Sequence, residues 1–250
     1  MGRREVDDGA GLTGGFIRQT IEFVGHDVTL ERFTTVLAGA LGSKDYETKE
    51  HSARLVGVAD AIARHIGLAE DVRRVIRFGA YLHDIGKVVI PDELLRKRGA
   101  LTPYEFSIVR RHPEVGADIL ADIETWRDVR LIVRHHHEHF DGDGYPDGLR
   151  GEHIPLGARI VSVADAYDVM RSGRPYQPPR SRDWILGELR RHRGRQFDPD
   201  LVDALMNVLP RQATSAPEHE RDGLVEQRTA IGRRRTDDAL ASWTRVTPAP

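Results

Sequence analysis

Apolar residues recur at spacings of three and four along most of the middle of the chain, the period of helices with one buried face. Leu55, Val58, Ile62 and Ile66, with His51 on the same side, predict a helix from about Lys44 to Ile66, which Gly67 stops. Val72, Ile76 and Gly79 make a second stripe that ends on His83, and Gly86 reads as the breaker beyond it. Thr102-Pro103-Tyr104-Glu105 has the form of a capping box with proline in the first turn, and the helix it opens is interrupted at His112-Pro113. Val129, Ile132 and Val133 predict a further helix whose stripe His136 and His137 extend inward. From Asp141 to Pro155 the glycines at 142, 144, 148 and 151 exclude regular structure. Pro155 then opens a helix with Ile160, Val163, Ala164 and Tyr167 on its core side, and Asp165 and Asp168 one turn apart. A helix from Asp183 to about Arg193 follows, and Asp198-Pro199 caps one bearing Leu201, Val202, Leu205 and Leu209. No run alternates as a strand would, so the chain is predicted to be all-α.

The ends break this pattern. Residues 1–15 are glycine-rich and charged, and 211–250 mix proline, threonine, alanine and arginine with few large apolar side chains, so both are expected to be disordered. Between them, 16–43 reads as an N-terminal helical segment, with a helix at about Leu30 to Leu41, and 44–210 as the main domain. With 250 residues, 39% of them hydrophobic, one substantial core can be built. A formal charge of −2 gives no positive field for a large nucleic acid, which leaves a compact nucleotide open. The chain has no cysteine, so His, Asp and Glu are its only strong metal ligands. No apolar run approaches the roughly 20 residues of a membrane span, and a cytoplasmic protein with no membrane partner is the expectation.

Glu47 and His51 are four apart and would be neighbours on a helix, a spacing that suits a surface ion pair as well as a shared cation. His83-Asp84 falls near a helix end and His112 at a helix break. His136 and His137 extend an apolar stripe, where two unpartnered imidazoles would cost several kcal/mol, so a ligand role is favoured there. His135 and His139 point to other faces and are expected to be solvated or supporting. Asp165, within Ser162-Val163-Ala164-Asp165, is an acid among small and apolar residues and needs a cation or donor. Eight such groups exceed the roughly four to six ligands one ion takes, so two or three ions would share bridging carboxylates, with Asp84 the candidate bridge.

These segments, in this order, resemble the HD-GYP phosphodiesterases, which hydrolyse the bacterial second messenger cyclic di-GMP. The match runs from Lys44-Asp45-Tyr46-Glu47 and His51 through His83-Asp84-Ile85-Gly86-Lys87, Arg111-His112-Pro113, His136-His137-Glu138, Asp141-Gly142-Asp143-Gly144-Tyr145-Pro146, Val163-Ala164-Asp165 and Arg174-Pro175-Tyr176 to Phe197-Asp198-Pro199. The resemblance implies an HD-domain-like bundle of roughly seven to nine helices. It implies as metal ligands Glu47, His51, His83, Asp84, His112, His136, His137 and Asp165, with iron or manganese as the two or three divalent ions, and Glu47 associated with the third. Asp84 and Lys87 would be the catalytic pair, Lys87 reaching a substrate phosphate. Asp45, Asp168 and Arg174 would contact the ligand, and Gly144, Tyr145 and Pro146 would shape the guanine-nucleotide pocket. The expected product is linear pGpG, with onward hydrolysis to GMP left open.

Where the family often has a basic residue after Arg-Pro-Tyr, this chain has Gln177, which would weaken phosphate binding unless Arg171 compensates. Residues 1–43 are too few for the receiver or sensor domain that family members commonly carry. Family habit also suggests a homodimer and signalling-protein partners. The competing readings are a cyclic-dinucleotide receptor or docking module without turnover, and a general HD-type nucleotide phosphohydrolase.

Overall fold

The computed structural model describes residues 49–97, 99–173 and 178–209. Asp45, Glu47, Arg174, Gln177, the helix expected near 30–41 and both terminal segments lie outside them. The described residues form nine α-helices and no strand: α1 Lys49–His65, α2 Glu70–Leu82, α3 Asp92–Leu95, α4 Pro103–Val109, α5 His112–Ile119, α6 Arg127–His135, α7 Leu156–Ser172, α8 Arg182–Arg191 and α9 Pro199–Val208. Short 3-10 turns at Ile85–Val89, Glu124–Trp126 and Gly151–His153 complete it. The all-α bundle expected from the periodicity is borne out.

α7 is the central helix. Ala158, Ile160, Val161, Val163, Ala164, Tyr167 and Met170 are buried around its whole circumference, the pattern of a helix enclosed by others. Leu55, Ala59 and Ile62 of α1, Ile76 and Ala80 of α2, Ile185 and Leu189 of α8, and Leu201, Val202 and Leu205 of α9 close over it in one core. Each large aliphatic side chain buried there contributes about 2 kcal/mol of transfer free energy. A smaller cluster of Leu82, Leu120, Val129 and Val133, flanked by Phe78 and Trp126, joins α2, α5 and α6. The site described below lies where these two clusters meet.

The end signals act as their chemistry requires. Thr102 accepts from Glu105 N at 3.3 Å while Glu105 Oε2 accepts from Thr102 N at 2.7 Å, so the capping box is complete. Asp198 accepts from Asp200 N at 2.9 Å and starts α9. Two expectations fail. Gly86 does not terminate α2: it sits inside the 3-10 turn without a positive φ, and a Cβ there would stand 2.0 Å from His112 O and 2.5 Å from Gly116 N. Its missing side chain serves packing, letting the turn after Asp84 lie directly on the backbone of α5. The second concerns α6, which stops at His135; His136 is its C-cap and His137 follows in a turn, so the two histidines do not continue the helix.

Candidate metal centre

Five segments bring their imidazoles and acids to one place. His83 is the C-cap of α2 and Asp84 follows it; His112 is the first residue of α5; His136 and His137 follow α6; His51 lies within α1 and Asp165 within α7. Ligand atoms of Asp84, His112, His136 and His137 all lie within 4.8 Å of one another, and those of His51, His83 and Asp165 do likewise. Asp84 stands between the groups. Its Oδ1 is 3.1 Å from His112 Nε2 and 4.0 Å from His136 Nε2, while its Oδ2 is 3.1 Å from His83 Nε2. A carboxylate that faces one group with each oxygen has the geometry of a bridge.

The far side of each ring decides what the near side offers. Nδ1 of His83, His112 and His136 lies 2.8, 2.8 and 2.7 Å from the carbonyls of Ala80, Val109 and Val133, each three residues earlier. A carbonyl only accepts, so each Nδ1 carries the hydrogen and each Nε2 turns a lone pair toward the shared space. Those Nε2 atoms converge, with His112 and His136 only 3.3 Å apart. Burial and the neighbouring imidazoles hold His136 and His137 well below the usual histidine range, which keeps them neutral. Burial alone would raise the Asp84 carboxyl, but the Lys87 ammonium that donates to it helps hold it well below the usual carboxylate range. Neutral imidazoles and an ionised acid are the donor set a divalent cation requires, so the residues fit metal ions.

His51 is oriented differently. Its Nδ1 is 2.7 Å from Asp168 Oδ2, and Arg54 grips the same carboxylate with Nε at 2.8 Å and a terminal nitrogen at 3.1 Å. This leaves His51 Nε2 facing Asp165 at 3.7 Å. Asp168 is 0% exposed, and both its oxygens are engaged. With its oxygens taken by His51 and Arg54, Asp168 aims His51.

Lys87 Nζ lies 2.5 Å from Asp84 Oδ2, so the cation is at the centre, paired with the bridging acid. The Tyr145 ring is 3% exposed and stacks on His137, with centroids 4.9 Å apart and planes at 22°. Burial and the Asp84 charge push its phenol pKa upward, so the hydroxyl stays protonated. Tyr145 thus backs a candidate ligand. A Cβ on Gly144 would stand 2.1 Å from His139 N, so this glycine permits close approach to the chain's own backbone. Gly142 and Gly148, with φ of 89° and 66°, are there for their turns.

Glu138 escaped the sequence reading. Buried to 2% exposure, it accepts from Asp147 N at 2.7 Å and Leu149 N at 3.0 Å and so folds the loop back behind the histidines. An acid beside a glycine-rich loop carries no mark of burial, so periodicity could not find it. His135, expected at a solvated or supporting position, is buried between Leu131 O at 2.8 Å and Asp147 Oδ2 at 2.9 Å.

A family model described as HD domain matches residues 35–201. The chain belongs to the HD domain family. HD domain relatives include the cyclic di-GMP phosphodiesterase response regulator RpfG of Xanthomonas campestris, 45% identical over 173 residues that cover 68% of this chain and 46% of the relative. A cyclic di-GMP phosphodiesterase of Thermotoga maritima is 37% identical over 72% of this chain and 49% of its own length. The 3'3'-cGAMP-specific phosphodiesterase 2 of Vibrio cholerae is 37% identical over 68% of this chain and 33% of its own length. The chain thus spans about half the length or less of these relatives. Among solved structures, the HDG"Y"P protein Bd1817 from Bdellovibrio bacteriovorus superimposes with a TM-score of 0.55 at 20% identity, covering 82% of this chain and 74% of that one, which speaks for the fold. The resemblance to HD-GYP proteins is borne out. No helix among the described residues is long and apolar enough to cross a membrane.

Proposed function

We propose that this chain is a metal-dependent phosphodiesterase that opens cyclic di-GMP to linear pGpG and carries it on to GMP. The observation that supports this best is Asp84, placed between two sets of converging ligands with one oxygen toward each. His112, His136 and His137 would hold one ion, His51, His83 and Asp165 a second, and Asp84 both; Glu47 would serve a third. Iron or manganese suits a shell of imidazole and carboxylate. When bound, such ions supply a water of lowered pKa and a positive counterpart for the phosphate oxygens.

The protein's own part is positional. Carbonyls at Ala80, Val109 and Val133 fix three ring orientations, and Asp168 fixes a fourth, so the ligands need little rearrangement. Lys87, within reach of Asp84, is placed to accompany negative charge developing on the departing 3′ oxygen and to return a proton to it. Tyr145 stacks on His137 and steadies its ring. The substrate assignment leans on the relatives named for cyclic di-GMP.

The test is turnover of cyclic di-GMP and of 3'3'-cGAMP by protein loaded with iron(II) or manganese(II), with linear products separated by chromatography. Conversion of cyclic di-GMP that is lost on chelation and in His83→Ala is expected. If neither dinucleotide is opened, or if His83→Ala matches the unaltered protein, the reading fails.

A further inference from the structure

Arg110 closes α4 as its C-cap residue and is exposed. Its guanidinium carbon lies 4.7 Å from the centroid of the Tyr145 ring and 5.7 Å from that of Phe106, while the Phe106 and Tyr145 rings meet edge to face at 6.3 Å. The same Tyr145 ring stacks on His137. The phenol ring thus touches both the exposed guanidinium and a candidate metal ligand.

Two properties separate this cation from others nearby. Lys87 is engaged by Asp84, and Arg134 is held by both oxygens of Asp147 at 2.8 Å. Arg110 meets no carboxylate among the described residues; what fixes it is the aromatic surface beneath it, which neutralises none of its charge and consumes none of its N–H donors. An exposed guanidinium held over aromatic rings, with no carboxylate on its donors, is free to receive two oxygens of one anion. Arg110 also acts electrostatically on the Tyr145 phenol together with Asp84 and Lys87, as expected of a charge on the same flank of the centre.

We propose that Arg110 is a substrate-binding residue that grips the second, uncleaved phosphodiester of a cyclic dinucleotide while the first lies at the metal centre. This rests on the phosphodiesterase reading and deepens it. A cyclic dinucleotide carries two phosphodiesters, so a cation at the rim discriminates it from any substrate with one. Arg110 would thus favour ring-shaped dinucleotides over simple diesters.

The experiment compares the unaltered protein, Arg110→Gln and Arg110→Lys on two substrates, cyclic di-GMP and bis(p-nitrophenyl) phosphate, which has only the scissile phosphodiester, with metal content measured throughout. For Arg110→Gln we expect KM for cyclic di-GMP to rise roughly tenfold with kcat nearly kept, a shallower salt dependence of that KM, and unchanged constants on the simple diester. Arg110→Lys should fall between, since it keeps the charge and loses the flat fork. Equal impairment on both substrates, or loss of bound metal, would mean that Arg110 only props Tyr145 and would overturn the proposal; so would unchanged KM for the dinucleotide. Failure of the unaltered protein on both substrates would sink the underlying phosphodiesterase reading instead, and the two failures are therefore distinct.

Discussion

The two halves of the candidate centre are built by different means. In the group of Asp84, His112, His136 and His137, the imidazoles of His112 and His136 stand at helix ends, and each is aimed by a carbonyl three residues earlier. In the group of His51, His83 and Asp165, His83 is aimed by a carbonyl in the same way, but His51 lies inside α1 and is aimed by Asp168, which is 117 residues away in sequence and steadied in turn by Arg54. A helix-end ligand thus carries its orientation with it, whereas a mid-helix ligand depends on α1 and α7 being docked. The first half is local and the second is tertiary at His51, and they should fail separately.

Removing what the halves share should have the largest effect. Asp84→Ala should empty both and reduce turnover by far more than the roughly 100-fold that loss of a supporting residue costs. Retention of one ion in that variant, by elemental analysis, would show that Asp84 serves only one side. Next in size is Asp168→Asn, expected to weaken metal binding about 10- to 100-fold on the His51 side alone, so that one ion is lost at limiting metal and the other stays. Simultaneous loss of both ions would break the proposed independence.

The smallest effect is on metal-free stability and concerns the Asp84 half. His136 and His137 are held below the ordinary histidine value of 6.5, so the unfolded chain takes up protons there that the folded chain refuses. Stability present above about pH 6.5 is therefore lost as the pH falls below it, and the lowered pKa of Asp84 extends the loss in the same direction at more acid pH. Urea midpoints of metal-free protein should drop between pH 8 and pH 5, and Asp168→Asn should show much the same drop. A flat profile would place these histidines in a wetter setting.

The same division explains what could be read from the sequence. Helix-end ligands announce themselves, because His83-Asp84, His112-Pro113 and His136-His137 combine a stripe with a break. Asp165 was legible as an acid among small apolar neighbours. Asp168 was visible only as its partner one turn on, and its bond to His51 depends on helix docking that periodicity does not encode. The end of α6 was misplaced because neither glycine nor proline marks it, and His136 and His137 keep the stripe going on paper. Gly86 misled for the opposite reason: a glycine after a helix suggests a stop, and only the backbone of α5 above it reveals a demand for space. Arg110, separated from Tyr145 by 35 positions, has no local signature at all.

The loop behind His137 is also tied to the turn that follows α8: Phe140 N donates to Gln196 O at 3.2 Å and Asp141 N to Arg195 O at 2.8 Å. Through Phe140 the tether lies three residues from His137, and through Glu138 the whole loop shares it. A displacement of the turn after α8 would reach the candidate ligand His137 through these two parallel hydrogen bonds. The centre therefore has a short lever arm reaching the outside of the bundle, with Arg195 and Gln196 as its fulcrum.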